Sequence, residues 1–133
     1  MQFKKLIVGS VIAATAALST LSHSADMQFF RIGSGSAGGS YFPIAGLIAN
    51  AISNPPGSRP CEKGGSCGVP GLVAIAQSSN ASVANATGVQ TGQMESGLAI
   101  AGIVDTAYNG TGKFAEKGRY EDIRVIANLF PEE

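Results

Sequence analysis

Beyond residue 25 the chain has neither histidine nor tryptophan; its one histidine is His23. That stretch therefore offers no Ser-His pair, no histidine base and no histidine metal ligand. Charge is sparse, with Asp, Glu, Lys and Arg making up 14% of the chain. Over residues 26–133, three Lys and four Arg oppose nine acids, a net of −2. There is no basic patch, which argues against nucleic acid as a partner. Neither a nucleophile elbow nor a pair of acids is present to suggest catalysis, and no metal or cofactor is expected.

The N-terminus has the three parts of a secretory signal peptide. Lys4 and Lys5 precede an uncharged apolar run from Leu6 to Leu21, and Ser22-His23-Ser24-Ala25 follows. The run is short for a spanning helix, although an uncleaved anchor is the alternative. The expected division is a signal peptide over 1–25 and an exported chain over 26–133. Cysteine is limited to Cys61 and Cys67, which flank Glu-Lys-Gly-Gly-Ser. In an exported chain such a pair is most simply a disulfide, with two free thiols as the alternative. The further ligands of a zinc site are missing.

Apolar segments then alternate in type. Gln28–Gly33 reads as a strand and 40–54 as a helix; a Pro/Gly/Cys loop runs to Gly68. Residues 71–77 read as a buried strand, 80–91 as a second helix, 97–104 as a third strand and 123–130 as a fourth. A short helix is expected near Thr106–Tyr108. This alternation predicts an α/β fold with a parallel sheet covered by helices.

Ligands of such sheets bind beyond the carboxyl ends of the strands. The first such end is Gly33-Ser34-Gly35-Ser36-Ala37-Gly38-Gly39-Ser40-Tyr41, a Gly/Ser loop opening a helix, which suits an anion. It contains G-x-G-x-x-G, but the next strand ends in Gln77-Ser78-Ser79 without the acid a dinucleotide site needs, and no Gly-Lys-Ser/Thr follows. The second end, Ser78-Ser79-Asn80-Ala81-Ser82-Val83-Ala84-Asn85, is equally rich in groups that cap a helix. Candidate ligand residues are Gly35, Ser36, Gly38, Gly39, Tyr41, Ser79, Asn80, Ser82 and Asn85. Tyr41 either meets a ligand or packs beside Phe42. Ser79, Ser82 and Asn85 either cap the helix or bind.

From about Phe30 onward the chain resembles the N-terminal part of TAXI-type solute receptors of tripartite ATP-independent periplasmic (TRAP) transporters. The resemblance is carried by Gly33–Pro43, by Cys61–Leu72, by Ala76–Asn80 and Ser82–Asn85, by Tyr108-Asn109-Gly110-Thr111-Gly112 and by Ala127-Asn128-Leu129-Phe130-Pro131-Glu132. It implies a periplasmic-binding-protein-like (type II) lobe, with a second lobe not included in this sequence. It also implies a periplasmic, non-catalytic receptor. Such a receptor binds a small organic acid of the glutamate or 2-oxoglutarate kind and delivers it to a TRAP membrane permease. The sequence departs from that family at Ile100, Ala101 and Gly102, where Gln-Ser-Asp is usual, and at Ala81, where glycine is usual. An exported doubly wound α/β enzyme, or an inactive truncated product, is the alternative reading.

Overall fold

The computed structural model describes residues 26–131; the expected signal peptide lies outside them. Strand β1 (Gln28–Gly33) leads into helix α1 (Tyr41–Ile52), which passes directly into β2 (Ser53–Asn54). A 3-10 turn at Cys61–Lys63 precedes β3 (Val69–Pro70) and β4 (Leu72–Gln77). Helix α2 (Ala81–Gln90), β5 (Ser96–Gly97) and helix α3 (Ala101–Asn109) follow, with a second 3-10 turn at Gly112–Phe114.

The main sheet has the order β4-β1-β5, and both pairings are parallel. Gln28 stands opposite Leu72 and Gly33 opposite Gln77, so β1 and β4 end together; Gly33 is also opposite Gly97. A second, two-stranded parallel sheet joins β2 to β3. Among the described residues no helix is long and apolar enough to cross a membrane.

Helix α1 follows from an apolar repeat at 45, 48, 49 and 52, one face of a 3.6-residue period. Pro43 sits in its first turn, where its missing N–H costs nothing. Buried Ala45 and Ala49 bring the helix close to Ile32, Phe30, Ala74 and Ala76 on one face of the sheet. Side chains alternate along a strand, so Gly33 opens onto the other face, where α2 sits. That face is covered only near the strand ends: Phe29 and Ile75 remain 62% and 45% exposed.

A second core lies between α2 and α3. It comprises Ala86, Ala107, Phe114, Tyr120 and Ile123. The Phe114 and Tyr120 rings meet edge to face with centroids 5.0 Å apart. Burial of Phe114 alone contributes about 2–3 kcal/mol. Cys61 and Cys67 are joined by a disulfide, with their Cα atoms 4.8 Å apart.

Two expected strands are corrected. Of the run 97–104 only Gly97 belongs to the sheet, in the two-residue strand Ser96–Gly97, and α3 begins at Ala101. Ile103, Val104 and Ala107 recur with helical spacing and pack on the second core, a use that a short apolar run does not reveal. Among the described residues the run 123–130 pairs with no strand. Its first residue, Ile123, is held by the second core, while Val125 and Ile126 are 74% and 82% exposed. The residues favour a strand, but without a neighbouring ladder that preference has nothing to pair with.

Candidate functional site

The carboxyl ends of β1, β4 and β5 each lead toward the N-terminus of a helix, and the three transitions interlock. The Gly35 carbonyl accepts the Ser79 N–H at 3.2 Å and the Ser78 hydroxyl at 3.0 Å. Ser34 is fully buried; its N–H and hydroxyl both reach the Gln77 carbonyl, at 2.9 and 2.8 Å. Asn85, 1% exposed, donates through Nδ2 to the Ser34 and Leu98 carbonyls, both at 2.7 Å. Its Oδ1 lies 2.6 Å from the Ser79 hydroxyl, which also accepts the Ala81 N–H at 3.1 Å. Gly33 and Gly97 make room for this side chain: a Cβ on Gly97 would stand 2.8 Å from that of Asn85.

The interlocked loops form one wall of a cavity of ≈270 Å³. Gly35, Ser36, Gly39 and Ser40 line it from the loop after β1, and Tyr41 from α1. Ala81 and Ser82 line it from α2, and Ile100 from the start of α3. The lining carries no charged side chain. Helices α1, α2 and α3 all begin here, none with a side-chain hydrogen bond from its capping residue and none with an acid in its first turn. The first N–H groups of a helix have no partner within it and carry the positive end of its dipole, so their convergence favours an anion. Ser82, 6% exposed, accepts the Ile100 N–H at 3.0 Å, which leaves its own proton to donate.

Of the residues singled out from sequence, Gly35, Ser36, Gly39, Tyr41 and Ser82 meet at this cavity. Gly38 lies in the same loop with open space around it, and Asn80 is the residue before α2. Ser79 and Asn85 are engaged in joining the strand ends. Ser34 was missed, although it could have been found as the first polar residue after an apolar strand. Ile100 was marked only as a departure from the family's polar run and not as a site residue; it reaches the cavity because α3 starts where a strand was expected.

Ala81 adopts a left-handed backbone, φ 56°, as it enters α2. This is a conformation that a Cβ disfavours and glycine does not. The acids stand elsewhere. Glu95 accepts the Arg31 backbone N–H at 2.6 Å and is gripped by the Arg31 guanidinium at 2.6 and 3.1 Å. These bonds lower the Glu95 carboxyl to a pKa of about 2. Asp105 receives the amide of Asn109 on an exposed side of α3. A larger depression of ≈630 Å³ lies beside the disulfide loop, lined by Asn50, Ser58, Arg59 and Ser66 among others. No helix begins there, apart from the 3-10 turn at Cys61, so it lacks the converging donors of the smaller cavity.

Compared with known families, residues 32–133 match the NMT1-like family. The chain belongs to the NMT1-like family. This is a periplasmic-binding-protein-like family, whose fold agrees with the parallel sheet and flanking helices described above. NMT1-like proteins are of the substrate-binding receptor type, which implies a small-molecule ligand. An extracytoplasmic location is compatible with that family and with the Cys61–Cys67 disulfide. No solved structure matches the chain.

Proposed function

We propose that this chain is the N-terminal lobe of a periplasmic receptor that captures a small organic acid by its carboxylate. The observation that carries the reading is the convergence of three helix N-termini, none bonded by the side chain of its own capping residue and none with a first-turn acid, on one cavity free of charged groups. Backbone N–H groups of the loop after β1 and of the α2 start hold the anion, and the Ser82 hydroxyl donates to it. A second lobe closes over the open side, so that the ligand is covered on most of its surface. The receptor is exported through the signal peptide at 1–25, is of the TAXI type, and delivers its ligand to a TRAP membrane permease. Its role is capture rather than catalysis: hydroxyls and amides without an acid–base partner suit holding a ligand more than transforming it.

Titration of the full chain with a panel of organic acids tests this, by calorimetry or by amide shifts in NMR. Gly39→Val introduces two methyl groups at the cavity wall and should weaken binding at least about tenfold, or roughly 1.4 kcal/mol. Ser82→Ala removes one hydrogen bond and should cost roughly 1 kcal/mol. Unchanged affinity in Gly39→Val, with the fold intact, would move the site elsewhere.

A further inference from the structure

Both cysteines of the disulfide are exposed, but they are placed differently. Cys67 lines the ≈630 Å³ depression and Cys61 does not. The same depression is walled by Asn50 from α1 and by Ser58, Arg59 and Ser66. Arg59 is the one charged residue of that lining. Among the described residues its guanidinium has no hydrogen bond or ion pair, and the side chains of Asn50, Ser58 and Ser66 have none either. The last turn of α1 brings the negative end of its dipole to one side, about half a charge against the full charge of the guanidinium. The loop is also held by more than the bridge. The Pro60 carbonyl accepts the N–H groups of Lys63 and Gly65, both at 3.0 Å, and the Cys61 carbonyl accepts that of Gly64 at 2.9 Å. Gly65 lies against the Arg59 backbone, where a Cβ would have no room.

An accessible disulfide sulfur, a free guanidinium and free hydroxyls thus share one depression, away from the cavity at the strand ends. We propose that this depression takes a small thiol carrying a carboxylate, which exchanges with the disulfide at Cys67. Arg59 attracts the carboxylate, and the thiolate attacks Sγ of Cys67. A new S–S bond joins the thiol to Cys67. The Cys61–Cys67 bond breaks, and its electron pair goes to Sγ of Cys61, which takes up a proton. One disulfide is consumed and one is formed, so the thiol is the only co-reactant. The backbone bonds of the loop keep the walls of the depression in place when the bridge opens, and a bridge closing so small a loop adds little to the stability of the fold.

3-Mercaptopropionate and 2-mercaptoethanol have the same thiol and methylenes and differ in carboxylate against hydroxyl. The oxidised full chain is mixed with an excess of either thiol, and the exchange is stopped with N-ethylmaleimide. Lys63 lies between the two cysteines, so trypsin separates them and mass spectrometry reads each one. The thiol should be found on Cys67 and the maleimide on Cys61. Arg59→Gln, at an exposed position, should slow the reaction of 3-mercaptopropionate about threefold and leave that of 2-mercaptoethanol within about 1.5-fold. Because each thiol is compared with itself, the different acidities of the two thiols cancel. Salt at about 1 M should slow 3-mercaptopropionate in the parent chain to the same degree. An adduct mainly on Cys61, an equal response of both thiols to Arg59→Gln, or no adduct with either thiol would overturn the proposal.

Discussion

Gly68 and Gly38 stand at opposite ends of the β1–β4 pair. A Cβ on Gly68 would fall on the Ile52 carbonyl, because the backbone there runs against the end of α1. A Cβ on Gly38 would meet nothing within 4 Å beyond its chain neighbours. Near the start of β4, small residues let the chain pack on itself, and the disulfide between Cys61 and Cys67 ties down the same loop. Past the end of β1, Gly38 is demanded neither by φ nor by any neighbour among the described residues. One end of the sheet uses its glycine for its own packing, and at the other nothing among the described residues requires one.

The strongest way to break this contrast is at Asn85, where the open end is fastened. Asn85→Ala would leave the buried Ser34 and Leu98 carbonyls without their side-chain donor and open a void beneath Gly33 and Gly97. It should cost about 3–4 kcal/mol, read from denaturant unfolding. Gly68→Ala comes next. Its Cβ meets rigid backbone, and a loss of about 2–3 kcal/mol is expected, whereas Gly38→Ala should stay within about 0.5 kcal/mol of the parent. Equal losses for the two glycines would erase the distinction between the ends.

Ala81→Gly sharpens it with a smaller effect. Relief of the left-handed backbone outweighs the greater freedom of glycine in the unfolded chain, for a net gain of about 0.5–1 kcal/mol in thermal unfolding. The smallest effect is expected at the Arg31–Glu95 pair, whose side chains are 37% and 33% exposed. The Glu95 pKa falls from 4.5 to about 2 in the folded chain. Its contribution is therefore complete above about pH 4.5 and is lost as the pH falls through about 2. Glu95→Gln should abolish that part of the acid dependence and leave the rest of the curve in place. A curve unchanged by the substitution would mean that the pair does not report on folding.

Four elements were legible in the sequence: β1, α1, β4 and α2 lie within a few residues of their expected bounds. The loop after β1, which lines a cavity, was legible as a Gly/Ser turn opening a helix because its chemistry is local. Glycine, serine and a helix start need no distant partner to be read. Asn85 is different. Its candidacy as a ligand residue came from its place in a polar helix, but its surroundings depend on the register that sets Gly33 against Gly97. The 97–104 run was misread because an apolar run of that length suits a strand and a helix start alike. The 123–130 run was misread because β preference is expressed only against a neighbouring strand.

The shared carbonyl of Gly35 has a consequence for association. By accepting the Ser79 amide and the Ser78 hydroxyl, it fixes two loops from different strands to each other. Both segments surrender their conformational freedom when the chain folds, before any ligand arrives. A guest docking against this wall would thus forfeit little chain entropy there, and the ordering cost of complex formation would fall on whatever closes over the opposite side.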